Sequence, residues 1–346
     1  MNKPMTAPWW RPDQFARRRP FLETRGRVLR AARSYFEDQG FTEVETPALQ
    51  ISPGNETHLH AFATLYTDLM NGEKQTYYLH TSPEFAMKKL LVAGLPKIFQ
   101  IAHVFRNGER SSRHHPEFSM LEWYRAGGRL SDIKQDCIDL VRATAKVAGR
   151  TVFAAQGMTC DPFAEWESIG VPEAFRRYAG IDLMATGTDA ALLAPQVAKA
   201  GLRLSPGDTW EDLFFRVMGE KIEPFLGKDR PAFLCDYPVG MAALARPKRD
   251  DPRLAERFEL YICGYELANA FDELTDAAEQ KKRFEADMAA KERLYGERYP
   301  IDADFIAALE HGMPESAGIA LGFDRLAMLC AGTEEISEVL WAPVSG

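Results

Sequence analysis

The sequence predicts a mixed protein of helices and strands built around one strongly basic turn. Three observations carry that reading. Two apolar runs, "PKIFQIAHVFRN" and "EFSMLEWYRA", read as strands on either side of the turn. A long helix precedes them, with Leu22, Val28, Leu29, Ala32, Tyr35 and Phe36 recurring at helical spacing from Phe21. Residues 131–230 follow as a mainly helical stretch, clearest in "PEAFRRYAG" and "WEDLFFRVMGEKIEPFL" and punctuated by Gly and Pro.

The totals are those of an ordinary globular chain. Its 346 residues carry 42 Lys and Arg against 50 Asp and Glu, a net charge of −8. A grip on a long nucleic-acid backbone needs a basic surface to displace counterions, and the balance lends that no support. Five cysteines are scattered without a C-x-x-C pair, which reads as buried reduced thiols rather than a disulfide frame or a zinc knuckle. The N-terminus lacks the apolar core of a signal peptide and no run reaches membrane-span length, so a cytoplasmic protein is expected.

Taken in order, residues 1–20 carry Pro and Arg without periodicity and read as an N-terminal arm, Arg17–Arg19 as a solvated charge cluster. The helix from Phe21 ends near Gly40, and "FTEVETPAL" reads as a strand whose Pro47 suits an end or an edge. "TYYLHTSPEFAMKKLLVAG" is a strand and then a helix, with Thr81 or Ser82 as cap, Pro83 in the first turn and Glu84 complementing the helix dipole. By itself Glu84 is ordinary helix-start chemistry. In "EFSMLEWYRA" a period of two puts Phe118, Met120, Glu122 and Tyr124 on one face, an odd mixture for pure core.

Further on, "PAFLCDYPVGMAALA" is strand-like. "RFELYICGYELANAFDEL" spaces Glu259, Glu266 and Glu273 seven apart. Glu259 and Glu266 share a face only if a turn or bulge intervenes, and Gly264 supplies one. "PESAGIALGFDRLAML" is a glycine-containing strand running into a helix, with Arg325 near the junction.

These pieces add up to a chemistry. Arg106, Arg110, Arg113 and His114 stand beside a stacking ring, Phe118. Glu259 and Glu266 suit a hard cation such as Mg²⁺. Arginine forks, a carboxylate pair and a stacking platform are what a nucleoside triphosphate needs. No G-x-x-x-x-G-K-[ST] loop is present, so the P-loop class is excluded.

The helix and strand ending at Pro47, then "FRNGERSSRHHPEF", then "GIALGFDRL" resemble motifs 1, 2 and 3 of class II aminoacyl-tRNA synthetases. "TSPE", "PEFSMLEWY" and "RFELYICGYELANAFDEL" resemble the lysyl branch. Because the chain begins almost at motif 1, where a lysyl-tRNA synthetase has an anticodon-binding domain first, the resemblance points to the elongation factor P lysyl ligases. They join lysine, usually (R)-β-lysine, to a lysine side chain of elongation factor P.

The resemblance implies an α+β fold, an antiparallel sheet flanked by helices, with motif 1 at a homodimer interface. The expected arrangement is an arm over 1–20 and a catalytic domain over 21–346, with 131–230 as insertion or scaffold. It also implies ATP and Mg²⁺. Arg106 is expected on the α-phosphate and substrate carboxylate, Asn107, Gly108 and His115 around ATP, His114 and Arg113 on the outer phosphates, and Phe118 and Arg325 either side of adenine. Glu259 and Glu266 match the metal ligands, and Glu266 and Leu267 line the nucleotide site beside Gly322. Ser82, Pro83, Glu84, Glu122, Tyr124 and Glu273 match the amino-acid pocket. Two departures stand out. Gly108 occupies the place of the usual motif 2 Glu, with Glu109 one position later. Ala320 replaces a Gly, and its added methyl favours a β-amino isomer over α-lysine. The alternatives are a tRNA-lysylating core, which the net acidity disfavours, an inactive amino-acid-binding regulator, and a small-molecule amide ligase.

Overall fold

A computed structural model describes residues 8–242 and 244–344. The chain divides into two compact units: the described residues of Met1–Thr151 with Ala270–Gly346, and those of Val152–Asn269. No helix among the described residues is long and apolar enough to cross a membrane.

The first unit opens with helix α1, Pro12–Asp38. Leu22, Val28, Ala32 and Phe36 form its buried stripe, and the chain leaves it through Gly40 at φ 74°, where glycine is at ease. Residues 12–20, expected in the arm, are therefore helical; residues 1–7 of that arm lie outside the described residues. The stretch hid its helix because its first turns face solvent and lack an apolar period. Pro12 starts it, since a proline at the first position sacrifices no internal hydrogen bond. Arg18 is not solvated either: it is buried and donates to the Leu340 carbonyl, while Arg19 pairs with Glu23 in the open.

Short strands β1 (Thr42–Glu43) and β2 (Leu49–Gln50) follow, then the hairpin β3 (Phe62–Thr67) and β4 (Lys74–Leu79) and helix α2 (Glu84–Val92). Strands β5 (Lys97–Phe105) and β6 (Glu117–Ala126) form the antiparallel pair around the basic turn, and helix α3 spans Leu130–Ala148. Phe36 stacks on Phe99 at 4.8 Å and leans on Trp123 at 5.0 Å, which sets α1 against the sheet. Asp136 on α3 accepts from Trp123 Nε1, from Arg125 and from the Tyr35 hydroxyl, binding helix and strand together.

The second unit holds the small hairpin β7 (Phe153–Ala155) and β8 (Met158–Cys160), strand β9 (Glu167–Gly170), and helices α4 (Val171–Ala174), α5 (Ala190–Lys199) and α6 (Trp210–Val217). Phe175, Trp210 and Phe214 stack in its core. Strand β10 (Ala232–Pro238) runs parallel to β9 and antiparallel to β11 (Leu254–Ile262). A two-residue turn, Cys263–Gly264, leads into β12 (Tyr265–Asp272), its neighbour; so short a link joins only antiparallel strands. The helical stretch expected over 131–230 is thus divided: α3 belongs to the first unit, and the remainder is interleaved with strands.

Back in the first unit come α7 (Ala277–Tyr295), α8 (Ala303–Gly312), β13 (Ser316–Gly322), α9 (Phe323–Ala331) and α10 (Ile336–Val339). The strand order there is β1-β5-β6-β13, with β13 antiparallel to β6 and only the edge strand β1 parallel. Mainly antiparallel strands flanked by helices are the expected α+β class.

Candidate active site

Register decides what the sheet of the first unit displays. Phe118, Met120, Glu122 and Tyr124 share one face of β6, as their spacing predicts, and Gly322, Ala320 and Gly318 stand opposite Met120, Glu122 and Tyr124 on β13. The β13 side of this face is made of small residues, so it forms a trough with Phe118 towards one end and acid groups towards the other. At about 3.3 Å per residue, Phe118 and Glu122 stand roughly 13 Å apart along the strand.

The acid end is largely buried, with Glu84 and Ser82 partly exposed. Glu122 is 0% exposed and accepts from the Ser82 hydroxyl at 2.6 Å and the Tyr124 hydroxyl at 2.8 Å. Ser82 also accepts from the Glu84 backbone N–H, but the N-cap position expected for it or Thr81 is taken by Pro83. Pro83 is the residue before the first helical turn, and Thr81 bonds the Pro53 carbonyl instead. Glu84 and Glu273 both face Lys88, whose Nζ lies 2.5 Å from Glu84 Oε1 and 2.6 Å from Glu273 Oε2. Glu273 Oε1 is buried without a hydrogen-bond partner.

Burial, with the Glu84 charge nearby, pushes the Glu122 carboxyl up to about 8 despite its two donors. Burial likewise raises Glu273, against the pull of Lys88. Burial would strip Lys88 of its proton, but Glu273 and Glu84 reverse this and hold it above the ordinary lysine value. Three carboxylates against one ammonium leave an unsatisfied demand for positive charge, which a buried site meets only by pairing.

At the other end, the Arg106 guanidinium sits over the Phe118 ring, 5.3 Å from its centre, and its Nε is buried without a partner. Asn107 donates its backbone N–H to the His60 carbonyl, and Gly108 turns the loop at φ 84°. That conformation accounts for glycine where the family's Glu was expected. Arg325, from the first turn of α9, donates to His114 Nε2 at 2.8 Å, and His114 Nδ1 meets the Ser111 hydroxyl. Burial, then the Arg325 charge, lowers the His114 pKa, keeping the ring neutral and accepting. Arg325 and Phe118, expected as a pair around adenine, thus face His114 and Arg106 respectively. His115 has both nitrogens engaged: Nδ1–H donates to the Glu117 carbonyl, which leaves Nε2 to accept from the Val344 N–H. Gly322 opens α9, and Asp324 beside it accepts from Arg25 at 2.9 Å and from the Ser119 N–H at 2.7 Å, fixing that junction to β6.

Glu259, Glu266 and Leu267 belong to the second unit. The two-residue turn at Cys263–Gly264, both with positive φ, sets Tyr261 opposite Glu266, so Glu259 and Glu266 do share a face. Glu259 accepts from Arg257 at 2.5 Å and from the Tyr261 hydroxyl at 2.7 Å; Glu266 is exposed and Leu267 buried. Among the described residues no cluster of three or more acidic, His or Cys groups could hold a metal. Two carboxylates on one face suit a hard cation such as Mg²⁺, although both Glu259 oxygens are engaged by Arg257 and Tyr261.

Sequence reasoning missed two residues here. Lys88 lies four positions after Glu84, the spacing of a helical ion pair, and that was its signal. Gly318 is the backbone against which Tyr124 rests. A Cβ there would lie 2.2 Å from Tyr124 Cδ1 and 2.5 Å from Glu273 Oε1.

A sheet of this order, with an arginine on an aromatic ring at one end and a closed acid pocket at the other, is that of a class II synthetase catalytic domain. Residues 14–345 match the family described as tRNA synthetases class II (D, K and N), and the chain belongs to it. A lysine–tRNA ligase from Pelotomaculum thermopropionicum is 38% identical over 93% of this chain, which spans 63% of that relative's length. The elongation factor P–(R)-beta-lysine ligases of Yersinia enterocolitica and Klebsiella pneumoniae are 39% and 40% identical over 93% of this chain and 94% of theirs.

Proposed function

We propose that this chain is an ATP-dependent ligase that adenylates (R)-β-lysine and transfers it to a lysine side chain of elongation factor P. The observation that carries the reading is the closed pocket of Glu84, Glu122 and Glu273 against one internal cation. With all three carboxyls ionised, two negative charges are left for a substrate with two ammonium groups. The extent of similarity to the elongation factor P ligases, 94% of their length, supports the acceptor.

In the first step a carboxylate oxygen of the amino acid attacks the α-phosphorus of ATP and pyrophosphate leaves. Arg106 neutralises the oxygens on which charge gathers, and Phe118 with Arg325 holds the base. Glu259 and Glu266 would hold Mg²⁺, which supplies charge neutralisation to the phosphates. In the second step the acceptor amine attacks the acyl carbon, loses a proton and expels AMP, leaving an amide. The β1 edge and α1 are proposed to pack against a second copy of the chain.

Incubation with ATP, labelled (R)-β-lysine, elongation factor P and tRNA tests the acceptor. Label is expected in elongation factor P; label retained by tRNA would establish the lysyl-tRNA reading instead. Ala320 stands opposite Glu122 on the pocket face, so its methyl occupies the floor. Ala320→Gly is expected to shift preference from (R)-β-lysine towards α-lysine by about tenfold, the worth of one methylene in a fitted pocket. Adenylation rates of the two isomers check this, and an unchanged ratio would remove Ala320 from the account.

A further inference from the structure

Of the four charged side chains enclosed at the acid end, Lys88 is the one a cationic substrate cannot touch to advantage. It nevertheless sits at the centre, 1% exposed, on the second turn of α2, where the i,i+4 spacing aims it along the same helix face as Glu84. Its ammonium spans two carboxylates from distant parts of the chain, Glu84 Oε1 at 2.5 Å and Glu273 Oε2 at 2.6 Å. It thereby uses one oxygen of each and leaves the other. On Glu273 the remaining oxygen, Oε1, is buried and without a hydrogen-bond partner. The neighbouring Lys89 is turned elsewhere, to Asp302 and Asp304 at the start of α8.

We propose that Lys88 is a specificity-determining positioning residue, a built-in counter-cation that bridges Glu84 and Glu273 and fixes their spacing, so that their remaining oxygens receive the substrate's ammonium groups. The inference rests on the reading of this pocket as the diamino-acid site. Without Lys88, Glu84 and Glu273 would repel each other in a low dielectric, and at least one would take up a proton and become a poor acceptor for an ammonium. With it, and once Glu122 and Glu273 have ionised, the pocket carries two net negative charges, the number that a diamino acid neutralises. A second consequence is discrimination. An amino acid with a single ammonium would leave one buried negative charge unmatched, which costs far more than a lost methylene.

The groups facing Lys88 and its partners are Glu122 and Tyr124 from β6, Ser82 ahead of α2, and Asp272 beside Glu273. Because Glu122 and Glu273 both sit above the ordinary carboxylate range, the KM for the diamino acid should fall as pH rises from 6 towards 8, when these groups ionise. Lys88 lowers Glu273 in that balance, so its removal should move the fall to higher pH.

The test is ATP–pyrophosphate exchange from pH 6 to 9 with the wild type, Lys88→Met and Lys88→Arg, each with a thermal melt and an ATP KM. Lys88→Met is expected to raise the KM for (R)-β-lysine about 100-fold at neutral pH, to move its pH dependence up by about one unit, and to leave the ATP KM within about twofold. Lys88→Arg, which keeps the charge, is expected to retain the wild-type pH dependence. A lower kcat or melting temperature in Lys88→Met with an unmoved KM profile would make Lys88 merely structural, as would an equal shift in Lys88→Arg. Absence of exchange by the wild type with any diamino acid is a different failure and would overturn the reading of the pocket itself.

Discussion

Gly318→Ala is expected to abolish activation of the diamino acid while leaving ATP binding intact. Gly318 lies opposite Tyr124 across the β6–β13 ladder, and the ring occupies the space a side chain at 318 would need. An added methyl carbon would stand 2.2 and 2.3 Å from two ring carbons and 2.5 Å from Glu273 Oε1, all well inside contact. Tyr124 is 3% exposed and its hydroxyl is tied to Glu122 at 2.8 Å, so the ring has nowhere to turn. Glu273 is held by Lys88 and cannot withdraw without breaking that pair. Either way the carboxylates lose their arrangement. Overpacking of this kind costs about 1–3 kcal/mol in stability, and the loss of fit should raise the amino-acid KM by more than about 100-fold. Arg106, Phe118 and Arg325 lie away from the clash, so the ATP affinity measured by equilibrium binding should change little. An unchanged amino-acid KM in a folded Gly318→Ala protein would show that Tyr124 and Glu273 do not shape the substrate site.

One face of β6 was legible in the sequence through periodicity, whereas Ser82, Glu84 and Glu273 were expected beside it only from the family resemblance. A strand alternates strictly, so Phe118, Met120, Glu122 and Tyr124 had to share a face once β6 was recognised, and the structure places them so. The Glu259 and Glu266 pairing was readable as a condition, a turn at Gly264, and the positive φ of Cys263 and Gly264 meets it. What stayed hidden needed tertiary information. Lys88 looks like an ordinary helix lysine until Glu273, far along the chain, is brought to its ammonium. Gly318 looks like any glycine in a strand until Tyr124 is laid on it. The first turns of α1 were missed for a different reason. Their charged faces carry no apolar stripe, and Arg18 is buried by a backbone carbonyl near the other end of the chain. The division at Val152 was equally invisible, because helical periodicity says nothing about which helices pack together.

Arg106→Ala is expected to lower the rate of adenylate formation by about 10²–10³-fold, with a much smaller change in ATP KM. The side chain is pinned by its surroundings before any ligand arrives: the guanidinium lies over Phe118 at 5.3 Å, and its backbone N–H is bonded to the Pro116 carbonyl across the base of the loop. A fork held in place in this way pays little ordering entropy when charge develops on the α-phosphate, which is where a preorganised donor acts most strongly. Its buried Nε, still without a partner, marks unspent hydrogen-bonding capacity. Adenine binding depends mainly on stacking, so the ground-state complex should survive the substitution. Lys in the same place should recover little, because a point charge offers neither the two-pronged contact nor the flat surface that meets Phe118. Single-turnover measurement of pyrophosphate release with saturating ATP and (R)-β-lysine separates these effects. If Arg106→Ala raised only the ATP KM and left the single-turnover rate unchanged, the residue would be a ground-state anchor, and transition-state stabilisation would have to come from Arg325 or from the Mg²⁺ proposed at Glu259 and Glu266.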